Sequence, residues 1–366
     1  MKIALNNDWK FAEAFLEEHV RVDFDEATLE SVRLPHSAVV TPYNCFDESI
    51  YQKVMTYRRI ITVDEVFTDQ AVKITFEGAA HVAEVYLDGK KIGEHYGGYT
   101  AFTLDLTDYI SPGKEHLVVV KLNSREDQNL PPFGNVIDYM TYGGLYRGVY
   151  LEILPRVHVE DLFIQTERVM ETVKKLRVEG TLYNLAEPVE GTFALLDQQG
   201  KEVASLGKAT ISKKTFTVEF DVEDVELWDT ESPHLYQLRV VLSNGAIKME
   251  TFGFREIQLK NNGLYLNGKK IKIRGLNRHQ AYPYVGYAMP ETPQKLDADI
   301  LKYELGLNAV RTSHYPQSKH FINRCDELGL LVFTEIPGWQ HIGNEEWKER
   351  SLVHVEEMVL QYRNHP

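Results

Sequence analysis

Cysteine is nearly absent from this sequence of 366 residues, which holds only Cys45 and Cys325. Two cysteines so far apart cannot form a disulfide framework, and neither stands in a CxxC or other metal-binding spacing. Both are expected to be buried packing thiols. No apolar run approaches the length of a membrane span, and Asn6, Asn7 and Asp8 stand where a secretory signal would have its apolar stretch. We therefore expect a soluble, cytoplasmic protein.

Positive charge is also in deficit, because 40 Lys and Arg residues face 54 Asp and Glu residues, which gives a formal net charge of -14. Nucleic acids and anionic membrane surfaces are bound by basic stripes, and none is visible in the sequence. This balance argues against nucleic acid and membrane partners and leaves polar, uncharged substrates open. A chain of 366 residues with 43% hydrophobic content exceeds one hydrophobic core, so two or three domains are expected.

Two series of short β-strands account for most of the first 258 residues. In the first series, apolar and polar positions alternate between Gly, Pro and Asp turns, and Asp88-Gly89 is typical of a tight hairpin turn. So many short strands predict a β-sandwich or a jelly roll in residues 1–155. The second series, in residues 156–258, has the spacing of an immunoglobulin-like β-sandwich that lacks the cysteine pair of that fold.

The hydrophobic period changes near residue 260, and strands and helices are predicted to alternate over residues 259–366. After an Asn267-Gly268 turn and a strand, the first helix is expected to have Thr292 as its cap and to end at Gly306. Its apolar face is expected to consist of Leu296, Ile300 and Tyr303. The resulting βαβαβα order indicates parallel strands joined by helical crossovers.

The second and third helices of this segment have clear boundaries in the sequence. The second is predicted over residues 317–328 and ends at Gly329, with Phe321, Cys325 and Leu328 on one face. The third is predicted to start at Asn344. Its apolar face is expected to consist of Leu352, Val355, Val359 and Tyr362.

Polar side chains stand where each of the three predicted parallel strands ends. They are Asn277, Arg278 and His279 after the first strand, Arg311 and His314 after the second, and Glu335 after the third. In a parallel α/β barrel the functional groups gather at the C-terminal strand ends, so these residues are expected to share one rim. Imidazoles, cations, an amide and a carboxylate suit a ligand dense in hydroxyls, and Tyr315 and Trp339 offer flat faces for a sugar ring.

The run NAVRTSHYPQSKHFINRCDELGLLVF, residues 308–333, resembles the long signature of family-two glycoside hydrolases. RGLNRHQ (274–280), YGGLYRGVYLEI (142–153) and LVFTEIPGW (331–339) resemble other segments of that family. The resemblance covers nearly the whole chain. It implies a sugar-binding jelly roll, an immunoglobulin-like sandwich and the first three βα units of a (β/α)8 barrel. The Asn-Arg-His triplet is most similar to that of β-galactosidases, which implies hydrolysis of terminal β-galactosides, with β-glucuronidase and β-mannosidase as the next alternatives.

The sequence departs from the family pattern at two positions near the strand ends. Gln280 stands where many members have Glu, and Trp339 stands where magnesium-binding members have a second Glu. Although His341 remains, this argues against a magnesium site. The acid/base and the nucleophile of the family would lie beyond Pro366, so no catalytic residue is expected in the chain, which is expected to be inactive alone. Three barrel units leave a strand edge unpaired, so either homo-oligomers or poor order after residue 260 are expected.

The residues expected to bind substrate are His279, His314, Asn277, Arg278, Arg311, Glu335, Asp138 and Trp339. Structural roles remain open for several of them: Arg311 would tie strand ends together, His314 would be a core histidine, Asp138 would cap a surface turn and Trp339 would cover the barrel edge. For Glu335 we expect hydrogen bonding beneath the site and not acid catalysis. The alternative of another class is a non-catalytic carbohydrate-binding protein built from two β-sandwiches.

Overall fold

The first domain of the computed structural model, which describes residues 1–44, 47–134 and 137–366, consists of two antiparallel sheets. Its strands are β1 (Lys2–Ala4), β2 (Trp9–Ala12), β3 (Glu30–Val32), β4 (Val54–Thr62), β5 (Gln70–Phe76), β6 (Val82–Leu87), β7 (Lys90–Tyr96), β8 (Phe102–Asp105), β9 (Glu115–Asn123) and β10 (Val149–Pro155). One sheet has the order β1-β10-β5-β8, and the other has the order β3-β2-β4-β9-β6-β7. Their apolar faces, which include Trp9, Tyr57 and Phe76, form one core. The domain is the expected jelly roll.

The local sequence explains how this sheet pattern arises. Strand β6 alternates between half-buried and buried residues, as its alternating sequence predicts. The turn between β6 and β7 places Asp88 at φ 50° and Gly89 at φ 83°. Two consecutive left-handed residues match the twist of a two-residue hairpin, so the predicted turn is confirmed.

The second domain is a sandwich of two smaller antiparallel sheets. Its strands are β11 (His158–Glu167), β12 (Lys174–Tyr183), β13 (Val189–Leu196), β14 (Glu202–Ile211), β15 (Thr215–Val222), β16 (Tyr236–Leu242) and β17 (Ile247–Phe252). The sheet orders are β11-β12-β15 and β14-β13-β16-β17. Phe193, Leu195 and Val240 lie in the core between the sheets. This architecture confirms the predicted immunoglobulin-like sandwich.

A short antiparallel meander leads into three parallel βα units. The elements are β18 (Ile257–Lys260), β19 (Gly263–Leu266), β20 (Lys269–Ile271), β21 (Gly275–Asn277), α1 (Glu291–Asp299), β22 (Ala309–Arg311), α2 (Lys319–Leu328), β23 (Leu331–Phe333) and α3 (Glu345–Tyr362). The parallel sheet has the order β21-β22-β23, with Asn277 level with Arg311 and Arg311 level with Phe333. These are the three βα units of the predicted barrel. None of the helices in the described part of the chain is long and apolar enough to cross a bilayer.

Helix α1 differs from its prediction at its start, whereas the helical run ends before Gly306, which is left-handed at φ 64°, as predicted. It begins at Glu291 after Pro290, so Thr292 is not its cap. It continues into a π-helical turn over Ile300–Glu304, in which the Leu305 N–H donates to the Ile300 carbonyl at 3.0 Å. The wider turn adds a residue and rotates the side chains that follow it.

The predicted apolar face of α1 is wrong as well. Leu296 and Tyr303 are 52% and 71% exposed, whereas Gln294, Ala298 and Leu301 are buried. Gln294 is buried because it binds Arg278, a tertiary contact that the helical pattern does not contain.

Helix α2 agrees with its prediction. The Ser318 hydroxyl caps it by accepting from the His320 N–H, and Gly329 ends it in the left-handed conformation at φ 71°. Phe321, Cys325 and Leu328 are buried against the parallel sheet. Cys325 is therefore a buried packing thiol as expected, whereas Cys45 lies outside the described residues.

Helix α3 begins after the predicted Asn344 cap, but the face that packs against the rest of the protein is not the predicted apolar one. Leu352, Val355 and Val359 are exposed, and the buried side chains are Trp347 and His354. The predicted apolar face is therefore wrong for three of its four residues. The apolar face is exposed because the polar face of α3 is the one that contacts the jelly roll.

Hydrogen bonds hold α3 to β7 of the jelly roll and to the loop that follows it. Glu357 accepts from Thr100 Oγ1 at 2.6 Å and lies 2.9 Å from His95 Nε2. His354 Nε2 lies 3.0 Å from the carbonyl oxygen of Tyr96. The hydrogen bonds of Glu357 hold its pKa below the usual range against the opposing effect of burial, so the carboxylate is charged at neutral pH.

Trp228 joins the second domain to the barrel segment. Its ring is fully buried with Leu235, Leu266, Ala309 and Leu331. Its indole Nε1 donates to the carbonyl of Asp326 at 2.8 Å. The underside of the parallel sheet is thus closed by the second domain, which leaves the C-terminal strand ends as the open side.

Candidate functional site

The C-terminal ends of β21, β22 and β23 form a cup, by which we mean the space bordered by His279, Arg311, His314, Glu335 and Trp339. In-register parallel pairing brings the residues that follow each strand to the same edge of the sheet. Arg311 is the last residue of β22, and Glu335 follows β23 by two residues. The strands therefore deliver their polar ends to one place, as the sequence predicted.

An ion-pair network lies on one wall of the cup. Arg311 donates to Glu335 Oε2 from Nη2 at 2.8 Å and from Nε at 3.3 Å. The other carboxylate oxygen, Oε1, lies 2.9 Å from His314 Nδ1. Both oxygens of Glu335 are thus occupied, so this carboxylate orients Arg311 and His314.

His279 and Tyr315 form a second hydrogen-bonded pair in the cup. The Gln280 N–H donates to Tyr315 Oη at 3.4 Å, which leaves the phenol free to donate to His279 Nδ1 at 3.2 Å. An imidazole that accepts at Nδ1 carries its proton at Nε2. Although His279 as a whole is exposed, partial desolvation of its ring by its neighbours, followed by the influence of His314, lowers its pKa, so the ring is neutral at neutral pH.

The two imidazoles therefore differ in hydrogen-bonding character. The carboxylate of Glu335 only accepts, so the facing Nδ1 of His314 donates and its Nε2 is free to accept when the ring is neutral. His279 has the reverse arrangement, with a donor at Nε2. The ring centroids lie 5.4 Å apart. One donor and one acceptor of this kind suit hydroxyl groups, which both donate and accept.

Aromatic rings from both domains line the same cup. Tyr139, from the loop between β9 and β10 of the jelly roll, lies with its ring centroid 5.4 Å from that of His279 and 5.5 Å from that of His314. Trp339 follows β23 and lies 4.7 Å from the ring of His314. Asp138, beside Tyr139, is exposed, and its charge counteracts the lowered pKa of His279. The jelly roll thus contributes to the cup.

Arg278 is not brought to the rim. It is buried, and its guanidinium donates to Asp297 at 2.8 Å, to Gln294 at 2.8 Å and to Gln317 at 2.5 Å. Burial lowers its pKa, and Asp297 opposes that effect. Arg278 therefore holds α1 and the start of α2 against the strand end. Asn277 precedes it, is exposed, and lies level with Arg311 in the sheet.

Gln280, which stands where many members of the family have Glu, joins the barrel segment to the jelly roll. It is fully buried, and its side-chain oxygen accepts from Arg147 Nη2 at 3.0 Å. Arg147 also donates to the carbonyls of Pro316 and Tyr99, both at 2.9 Å. An amide here supplies the acceptor that the arginine needs, so this link does not depend on a carboxylate.

Two contributors to the cup were missed in the sequence: Tyr139 and the Arg147 link behind it. Tyr139 directly follows Asp138, and this adjacency was the available signal. Arg147 lies within the YGGLYRGVYLEI run, but nothing local to it indicates a partner 133 residues away.

The residues around the cup do not fit a magnesium site. In the described ranges, which omit 45–46 and 135–136, no group of three or more His, Cys, Asp or Glu side chains is arranged as metal ligands. Glu335, the nearest carboxylate of the strand ends, has both oxygens engaged with Arg311 and His314. His341 packs edge-on against Trp347, with ring centroids 5.9 Å apart.

Comparison with known proteins gives the same domain order. The sugar binding domain model of glycosyl hydrolases family 2 matches residues 3–155. The model described simply as glycosyl hydrolases family 2 matches residues 157–255, and the TIM barrel domain model of the same family matches residues 257–366. The chain is 44% identical over 376 residues to a β-galactosidase of Thermoanaerobacterium thermosulfurigenes, covering 100% of this chain and 52% of the relative. It spans about half the length of the curated relatives that it matches.

β-Glucuronidases also resemble this chain. A putative β-glucuronidase of Formosa agariphila is 32% identical over 370 residues, covering 99% of this chain and 44% of the relative. The crystal structure of a Bacteroides uniformis β-glucuronidase superposes with a TM-score of 0.89 at 28% identity, covering 100% of this chain and 46% of that one.

Proposed function

The chain belongs to glycosyl hydrolase family 2, and from this premise we propose that it is the N-terminal portion of a retaining exo-β-glycosidase that hydrolyses terminal β-D-galactosides. The observation that carries the proposal is the convergence of His279, His314 and the Glu335–Arg311 pair beside the rings of Tyr139 and Trp339. Such a wall offers donors, acceptors and flat apolar faces together. These are the features by which a sugar ring is bound.

The charges at the strand ends favour a neutral sugar over a uronate. A substrate carboxylate in a half-buried cup needs a cation that is not already paired. Arg311 is paired with Glu335, and Arg278 is buried and paired with Asp297. Asp138 adds negative charge beside the cup. β-Galactoside is thus the better candidate, and β-glucuronide, supported by the relatives of that name, is the second.

The bond-breaking groups are proposed to lie in polypeptide that follows Pro366. A retaining glycosidase uses two carboxyl groups about 5 Å apart, one as acid/base and one as nucleophile. Glu335 is a poor candidate for either role because both of its oxygens are bound by Arg311 and His314. In the proposed enzyme this carboxylate fixes the residues that contact the sugar, and the chain alone binds sugar weakly and is inactive.

We place the protein in the cytoplasm, with carbohydrate as its partner and neither nucleic acid nor membrane. The net charge of -14 supports the exclusion of nucleic acid and anionic lipid.

The decisive experiment assays the longer protein against nitrophenyl β-galactoside, β-glucuronide and β-mannoside. We expect the highest kcat/KM for the galactoside and no activity in the 366-residue chain. A preference for the glucuronide would support the second candidate. Sugar binding without hydrolysis of any of the three would instead support a carbohydrate-binding protein.

A variant at Glu335 tests the role of the cup in this reaction. Glu335→Gln keeps the shape but removes the charge that Arg311 and His314 share. Charged hydrogen bonds contribute about 1.5–3 kcal/mol, so kcat/KM should fall roughly 10- to 100-fold. The matched control is Glu356→Gln, because Glu356 is exposed on α3. Equal activity of the two variants would contradict a role for the cup.

A further inference from the structure

Tyr139 is the aromatic residue that contacts both imidazoles of the cup within the described ring contacts. Its ring centroid lies 5.4 Å from His279, 5.5 Å from His314 and 5.6 Å from Tyr315. The side chain is 5% exposed and comes from the jelly roll. The buried ring thus lies between the jelly roll and the barrel segment, against both imidazoles of the cup.

The hydroxyl of Tyr139 differs from those of the neighbouring tyrosines. Within the described residues it is buried and has no hydrogen-bond partner. By contrast, Tyr315 Oη has partners in His279 and Gln280, and Tyr146 Oη donates to the Gly98 carbonyl. A buried polar group without a partner lowers stability, so its presence in this cluster calls for a reason.

The surroundings of this hydroxyl keep it a donor. Burial raises the pKa of Tyr139, and the nearby Tyr315 and the carboxylates of Glu335 and Asp138 raise it further. The phenol therefore keeps its proton throughout the physiological pH range. A protonated hydroxyl next to a site rich in acceptors is prepared to donate.

We propose that Tyr139 Oη donates a hydrogen bond to an oxygen of the sugar that occupies the cup, which makes Tyr139 a substrate-binding residue contributed by the jelly roll. His279 and Asp138 are exposed beside Tyr139, and exposed side chains commonly change rotamer when a ligand binds. The hydroxyl, which has no partner within the described part of the protein, is then paired in the sugar complex. This inference rests on the proposed sugar-binding function.

The test compares Tyr139→Phe with Tyr146→Phe in the full-length protein. Both changes remove one buried hydroxyl and keep the ring. For Tyr139→Phe we expect KM for the preferred nitrophenyl glycoside to rise roughly three- to tenfold, the range of a neutral hydrogen bond. Its melting temperature should be equal to or above that of the wild type. For Tyr146→Phe we expect an unchanged KM and a lower melting temperature.

Two results would overturn the inference. An unchanged KM in Tyr139→Phe would show that the hydroxyl has no role toward the sugar. A lower melting temperature, or loss of folding, in Tyr139→Phe would show that the hydroxyl is paired within the protein. Failure of the proposed function would be recognised separately, because the wild-type protein would then hydrolyse none of the three glycosides. In that case the melting temperatures of the two variants would still test whether the Tyr139 hydroxyl lacks a partner within the protein.

Discussion

The two β-domains and the barrel segment relate sequence pattern to burial in different ways. In β12, buried and half-buried residues alternate along the whole strand, as the sequence alternates. In β21 every residue is exposed, and Leu296 and Leu352 of the barrel helices are also open to solvent. A sandwich supplies its own second sheet, whereas three barrel units have no surface to cover these faces. An apolar pattern therefore specifies what can be buried, and the tertiary structure decides what is.

The contrast is sharpest at α3. Its polar residues His354 and Glu357 lie against the jelly roll, while Leu352 and Val359 face outward. Charged and imidazole groups can be placed in an interface when each finds a partner, as Glu357 does with His95 and Thr100. Contact between the domains is thus specified by hydrogen bonds, and the apolar face stays open.

The largest expected effect would break the joint between the two regions. Trp228→Ala removes a fully buried ring and its hydrogen bond to the Asp326 carbonyl, so the free energy of unfolding should fall by about 3–5 kcal/mol. Hydrogen exchange should show lost protection in β22 and β23, with the jelly roll less affected. Trp339→Ala is the control, because this tryptophan is 39% exposed and should contribute less than about 1 kcal/mol. Similar losses in both variants would contradict the joint.

A second change tests the open faces of the barrel segment. We expect the 366-residue chain to self-associate through them, and Leu352→Lys/Val359→Lys should shift it toward monomer in light scattering at several concentrations. Glu349→Gln/Glu356→Gln is matched in charge, since each double variant adds two positive units, and should leave the association unchanged. A wild-type chain that is monomeric at every concentration would contradict the prediction.

The smallest effect concerns the jelly roll and its dependence on pH. Burial, followed by the charge and hydrogen bond of Glu126, raises the pKa of Glu48 from 4.5 to about 7. The folded state thus holds this proton more tightly than the unfolded state. The stabilisation is complete below pH 4.5 and is lost as the pH rises through 7. Glu48→Gln should remove this loss. The melting temperature of the variant should therefore lie about 1–2 °C above that of the wild type at pH 8 and should equal it at pH 4.5. If the melting temperatures of the two proteins change with pH in the same way, the raised pKa of Glu48 is ruled out.

Much of the fold could be predicted because its signals are local. The Asp88-Gly89 turn and the capping of α2 by Ser318 and Gly329 depend on residues adjacent in sequence. The apolar face of α1 was predicted wrongly because Gln294, and not Leu296, is buried by a bond to Arg278, and because a π-helical turn rotates Tyr303. Both causes lie outside the helical period.

The cup could be predicted only in part, from the residues that follow the parallel strands. Parallel strand ends meet by geometry, which is why His279, His314 and Glu335 were expected together. The burial of Arg278 depends on partners 16 to 39 positions away, and the position of Tyr139 on imidazoles 140 and 175 positions away, so no local pattern contains them. That these residues bind a sugar stays a prediction.

The hydrogen bond between His95 and Glu357 spans 262 positions of the chain. On the ribosome the jelly roll is synthesised long before α3, so His95 and Thr100 must wait for their partner while the intervening domain emerges. Because the jelly roll and the second sandwich each have a core of their own, they have the means to fold during that interval. Attachment of α3 is then a late, long-range step in biosynthesis, and slowing translation after residue 258 should be tolerated better than slowing it within the first domain.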